Sequence, residues 1–220
     1  MTFRESGRAP TLLRTLHTED WLSSVHTSSA GQYLTTSYDG TAQLLDESGR
    51  LIKSVQAHAD AVKAGCWLND TTIATGANSG EVVLYPLDQG TDALLYAQAH
   101  SDAVTSIASF PGDMGDFITS SLDGNVHLWR KDSEISYEAE TQKGPSKKKR
   151  KASRPFIKPT ASLECCSVGV TAVSLLDGTF FAACNDRSIQ RWDIGSGTRM
   201  SSMVFPVFVF SFKSQSAHIW

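Results

Sequence analysis

The stretch that decides the fold is His100 to Arg130, HSDAVTSIASFPGDMGDFITSSLDGNVHLWR. It ends in a polar turn followed by an alternating segment, SLDGNVHLWR (121–130), and three other segments rhyme with it. These are SYDGTAQLLD (37–46), ANSGEVVLYPL (77–87) and CNDRSIQRWD (184–193). In each, a large apolar or aromatic residue falls six positions after the turn's polar residue: Asp39/Leu45, Ser79/Tyr85, Asp123/Trp129 and Asp186/Trp192. A histidine precedes the first three by 20-odd residues (His17, His58, His100), and an acid follows each histidine closely (Asp20, Asp60, Asp102). In the fourth segment Cys166 takes the histidine's place.

The turns are 40, 44 and 63 residues apart, so the third interval holds a surplus of about one loop. A period near 40, with Asp-Gly and Ser-Gly turns between alternating apolar runs, predicts a repeated unit of four antiparallel strands. No segment carries the i, i+3, i+4 stripe of an amphipathic helix. The predicted class is therefore all-β, built from self-similar sheets.

Composition fits a globular chain: 40% apolar, 20% charged, net charge −3 over 220 residues. The charge is uneven. Residues 143–158 hold eight of the 20 Lys/Arg and none of the 23 Asp/Glu, leaving −11 on the rest. An acidic body argues against a broad phosphate-binding face. Cys66, Cys165, Cys166 and Cys184 show no metal-ligand or CxxC spacing and read as reduced, small apolar residues. MTFRESGRAP (1–10) lacks the apolar run of a signal peptide, and the longest apolar run, Val204–Phe212, is nine residues where a membrane helix needs roughly 20. No Walker loop, HExxH, GxSxG or dinucleotide fingerprint occurs, so neither an enzyme nor a cofactor is expected.

These repeats resemble WD repeats, the blades of a β-propeller. The resemblance implies that His100, Ser121, Asp123 and Trp129 form a hydrogen-bonded tetrad tying one blade together. It implies partial tetrads elsewhere: His17, Ser37 and Asp39 with Leu45 in the tryptophan's place; His58 with Ala77, Ser79 and Tyr85; and Asp186 with Trp192. A His/Ser/Asp set also matches a hydrolase triad on paper, but its recurrence in register favours the structural role. About four blades of an expected seven are legible, with Leu12–Leu16 as a lone strand that would complete the last blade of a closed ring.

The surplus falls in residues 131–159, first acidic and then basic, with three of the seven prolines. Its composition predicts a disordered loop between blades three and four. Within it, Lys147, Lys148, Lys149, Arg150 and Lys151 resemble a monopartite nuclear import signal read by an import carrier; an RNA contact and a merely solvated linker are the competing readings.

Three features together are similar to the WD-repeat subunits of the nucleolar complex formed with pescadillo and the block-of-proliferation protein. They are HTEDWLSSV (17–25) with LTTSYDGTAQLLDESGRLI (34–52); HADAVKAGCW (58–67); and the basic insertion followed by SIQRWDIGSGTRM (188–200). The similarity spans about residues 10–200. It implies a non-catalytic scaffold in large-subunit (pre-60S) assembly and rRNA processing, in the nucleus and nucleolus, with protein partners and no membrane. The alternative is an unrelated nuclear WD-repeat adaptor, such as a ubiquitin-ligase substrate receptor. Family members open with a ubiquitin-like domain, so against them the chain reads as truncated at both ends, with residues 1–10 a short N-terminal tail. SSMVFPVFVFSFKSQSAHIW (201–220) reads as an atypical apolar, aggregation-prone tail.

Overall fold

In the computed structural model, which describes residues 15, 17–87, 95–110, 112, 115–130, 136–137, 155–207 and 209, the alternating segments become strands. The first sheet is β1 (Leu22–Thr27), β2 (Tyr33–Ser37), β3 (Thr41–Leu45) and β4 (Leu51–Gln56), paired antiparallel in chain order. The second has β5 (Val62–Asn69), β6 (Thr72–Ala77), β7 (Glu81–Pro86) and β8 (Leu95–Gln98). The third has β9 (Val104–Ser109), β10 (Phe117–Ser121) and β11 (Asn125–Trp129). Two short strands follow in the chain, β12 (Ser136–Tyr137) and β13 (Pro155–Phe156), before β14 (Ala161–Glu164) closes the third sheet. The fourth is β15 (Val170–Leu176), β16 (Thr179–Cys184), β17 (Ser188–Asp193) and β18 (Thr198–Val204). Among the described residues there is no helix, and hence none long and apolar enough to cross a membrane. The expected four sheets are present, each with a four-stranded unit, and the second is extended to six strands by β13 and β12 at the edge of β8.

The sheets stack through their innermost strands: β5 lies against β1, β9 against β5, and β15 against β9. Three apolar layers fill the gaps. Leu34, Ala42 and Leu44 meet Val62, Trp67, Ile73 and Tyr85 between the first two sheets. Ala64, Ala74 and Val82 meet Val104, Phe117 and Trp129 between the next two. Ile118, Val126 and Leu128 meet Val170, Phe180 and Ala182 at the last. Period-two alternation gives each sheet two faces, and the inner sheets use both of them to meet a neighbour. Phe117 and Phe180 are essentially inaccessible, and each such burial contributes on the order of 2–3 kcal/mol.

The tight β2–β3, β6–β7 and β10–β11 turns carry Gly40, Gly80 and Gly124 at φ +84°, +82° and +90°. A Cβ there would strike the carbonyl of His58, His100 or Cys166 respectively, because the chain entering the next sheet crosses directly over the turn. The fourth turn places Arg187 at φ 70° instead.

Two expectations about the insertion change. First, it lies inside the third sheet, between β11 and its outer neighbour β14, rather than between sheets three and four. The outermost strand of each sheet follows the Trp-bearing strand in the chain, so an insertion after Trp129 precedes the sheet's last strand. Second, residues 136–137 and 155–156 within it form strands: β12 pairs with β13, and β13 adds parallel to the free edge of β8 through Phe156 and Tyr96. Ile157 is buried in the layer that holds Trp129. An open strand edge next to an apolar pocket recruits whatever extended apolar residues are tethered nearby. Lys147–Lys151 lie outside the described residues, as does Leu12–Leu16 apart from Thr15. Residues 201–204, assigned by sequence to the tail, belong to β18.

Candidate functional site: buried polar hubs and the repeat family

In the third blade His100 sits near the start of the β8–β9 connection, 3% exposed. Its Nδ1 donates to Asp123 Oδ2 at 3.1 Å, and its Nε2 accepts from Thr119 Oγ at 2.9 Å. Trp129 Nε1 in turn donates to the same Thr119 oxygen at 3.0 Å. One hydroxyl thus donates to the imidazole and accepts from the indole, so every polar atom of the chain of bonds is satisfied in the dark. Asp123 also accepts from the Asn125 and Ser101 amides at 2.9 and 3.0 Å.

The hydroxyl expected in this network was Ser121, and that assignment is corrected. Ser121 lies two residues beyond Thr119 on the same face, roughly 7 Å closer to the turn. Its Oγ donates to the Asp102 carbonyl at 2.9 Å and accepts from the Asp123 amide at 3.0 Å. Ser37 does the same in blade one, with the Asp20 carbonyl and the Asp39 amide at 3.4 and 3.3 Å. These serines lock the turn to the preceding loop, while the hub hydroxyl sits mid-strand opposite His127.

Burial lowers the affinity of His100 for a proton, outweighing the attraction of Asp123. Burial also pushes the Asp123 carboxyl up, but the Asn125 amide and His100 more than offset this and hold it below the ordinary range. His127 stacks on His100 with ring centroids 4.0 Å apart, and burial followed by the His100 neighbour lowers it to about 4. The hub is thus a carboxylate bonded to a neutral imidazole. With both His100 nitrogens engaged and the hydroxyl shared with an indole, the set has no free nucleophile. It holds strands together.

Blade two builds a partial hub around the expected His58, using two residues the sequence reading passed over. His58 Nε2 pairs with Thr75 Oγ at 2.9 Å, and His58 Nδ1 with Glu81 Oε2 at 2.9 Å. Ala77 and Ser79, which stand at the positions of Ser121 and Asp123, take no part. Glu81 is two residues past the usual acid, and its extra methylene reaches back to the imidazole. Tyr85 replaces tryptophan, and its buried hydroxyl has no partner among the described residues. Glu81→Ala is expected to lower stability by about 1–2 kcal/mol, against a near-zero change for Ser79→Ala, in paired urea melts.

Blades one and four are incomplete. His17 is exposed, Leu45 cannot donate, and the buried Thr35 hydroxyl has no partner among the described residues. Asp39 still locks its turn through the Thr41 amide at 2.8 Å, as Asp186 does through Ser188 at 2.8 Å. In blade four Ala182 stands where Thr119 does, and Trp192 Nε1 turns to Gln190 Oε1 at 3.1 Å. Cys166 occupies the histidine position, where a bond from the Cys184 thiol holds it down to about 7. Among the described residues no cluster of three or more His, Cys, Asp or Glu is placed to hold a metal ion.

This repeated architecture agrees with comparisons to known proteins. The family "WD domain, G-beta repeat" matches residues 10–46 and 93–130. The chain is 28% identical over 190 residues to the ribosome biogenesis protein WDR12 homolog of Anopheles gambiae, covering 81% of this chain and 42% of that protein. It is 24% identical over 221 residues to the ribosome biogenesis protein YTM1 of Laccaria bicolor, covering 88% and 49%. With the Ixodes scapularis WDR12 homolog it shares 26% identity over 219 residues, covering 92% and 51%. The chain thus spans about half the length of the curated relatives it matches. Among solved structures it superposes on the computationally designed Ika8 protein with TM-score 0.66 at 19% identity, covering 88% of this chain and 53% of that one. A chain of the mitotic checkpoint complex gives 0.68 at 17%, covering 89% and 55%. Four such blades, one complete hub and these comparisons show a partial β-propeller fold built of WD-type repeats, similar in sequence to the ribosome biogenesis proteins WDR12 and YTM1.

Proposed function

We propose that the chain is a non-catalytic scaffold in assembly of the large ribosomal subunit and processing of its rRNA, working through proteins of the pescadillo and block-of-proliferation complex. The observation that carries this reading is the similarity to WDR12 and YTM1 across most of the chain. The hubs support it: their chemistry is spent on holding strands, leaving loops and edges as binding surface. RNA contact, where it occurs, is indirect, since the body apart from residues 143–158 carries net −11. Lys147–Lys151 act as the nuclear import address.

Affinity capture of the tagged chain from nuclear extract is expected to recover the pescadillo and block-of-proliferation proteins with pre-60S particles. Recovery of cullin machinery without them would favour the ubiquitin-ligase adaptor instead. Replacing Lys147–Lys151 with alanine in a bulky fusion should move it from nucleus to cytoplasm with an unchanged melting temperature. A mutant that still enters the nucleus but loses pre-ribosomes in a salt-dependent way would mark an RNA contact instead.

A further inference from the structure

We propose that residues 205–207 and 209 form a built-in cap for the outer face of blade four, seated where the connection into a following blade and the first residue of its innermost strand would lie. The sequence pattern alone presents this segment as an unpatterned apolar tail. The geometry gives it a register.

Two hydrogen bonds carry the argument, because each reproduces a bond made at the preceding junction. Where blade three meets blade four, Thr105 Oγ donates to the carbonyl of Val170, the first residue of the incoming strand, at 2.7 Å. Thr171 is the equivalent of Thr105 one blade later, by its place next to the strand's first residue. Its Oγ donates to the carbonyl of Val209, also at 2.7 Å. Likewise, Cys165 N donates to the carbonyl of the turn residue Gly124 at 3.0 Å as the chain leaves blade three. Phe205 N donates to the carbonyl of the matching turn residue, Arg187, at 2.9 Å. Both ends of the crossing are therefore held as in a normal passage from blade to blade.

Burial agrees. Ala183 points to the outer face, at the position occupied by Ser120 in blade three and Gly76 in blade two. At the earlier position, a Cβ on Gly76 would strike Val104 of the next blade. Ala183 is likewise fully inaccessible, although no further sheet follows among the described residues. Beside it Ile189 and Arg191 are half-covered, where their blade-three counterparts Val126 and Leu128 are buried. Pro206 falls at the position of the hub histidine, and the crossing is one residue shorter than the six-residue step from Glu164 to Val170. The segment thus follows the path of that connection without its hub. A segment lying over an otherwise open apolar face of a repeat shields that face from water.

The test is hydrogen exchange on the full-length chain and on two full-length variants. In the wild type, amides of 205–209 and 179–184 should be protected together. Val209→Asp leaves every blade residue intact and should speed exchange in 179–184 and 205–209 by about tenfold or more, with 104–121 unchanged. Ala183→Glu, acting from the other side, should do the same to 205–209. Wild-type amides in 205–209 exchanging at the unprotected rate would overturn the proposal. So would Val209→Asp leaving 179–184 unchanged. This outcome does not depend on ribosome-assembly partners, so it fails or stands separately from the function proposed above.

Discussion

Thr119→Val is expected to destabilise the chain by about 2–4 kcal/mol, more than any other single hydroxyl removed from blade three. The substitution is nearly isosteric but takes away the one atom that both His100 Nε2 and Trp129 Nε1 use. Thr119 is wholly inaccessible, so water does not replace it. Two buried polar atoms are left unpaired, at about 1–3 kcal/mol each, with some relief from side-chain adjustment. Thr119→Ser keeps the hydroxyl and should lose less than half as much, through the missing methyl group alone. Ser121→Ala should cost about 1 kcal/mol, because its partners lie at the turn rather than in the core. Urea melts of the three variants decide the matter. An equal or larger loss for Ser121→Ala would return the hub to the position expected from sequence.

Acidification from pH 7 to 4 should produce the second large effect. His100 and His127 both have lowered proton affinity in the folded chain, so near neutrality both are uncharged, folded or unfolded. Below about pH 6.5 the unfolded chain takes up protons that the folded chain refuses, and stability falls until the folded values are reached. For His127, with its value at about 4, the loss approaches roughly 3 kcal/mol across that window at 1.36 kcal/mol per unit. Asp123, held below the ordinary carboxylate range, adds a further loss only at lower pH. His127→Gln places at this site the residue that blades one and four carry as Gln43 and Gln190. It should flatten the profile between pH 6.5 and 4 without altering stability much at pH 8. A slope unchanged by this substitution would contradict the assignment.

The fold was legible because it rests on signals that repeat: a turn residue, an apolar residue six positions on, and a histidine upstream. Trp129, Asp123 and His100 were found this way, and all three join the hub. Thr119 was missed because threonine in mid-strand is unremarkable, whereas a serine beside an Asp-Gly turn draws attention. Thr75 was missed for the same reason. Glu81 was missed because it breaks the spacing, and only its reach shows that it does the aspartate's task. The insertion's anchors, β12 and β13, have no local pattern long enough to read. They are strands only because β8 offers them an edge. The apolar run after Val204 looked like an ending because its repeat signals are gone. Its backbone bonds to Arg187 and Thr171 still follow the repeat.

Sedimentation of nuclear extract tests the central claim, that this partial propeller works as a scaffold on large-subunit precursors. On a sucrose gradient the wild-type chain should travel with the pre-60S peak. Thr119→Val, expressed at equal level, should shift toward the free-protein fractions as blade three loosens. A wild-type chain found only among free proteins, in extracts whose pre-60S peak is intact, would contradict the account.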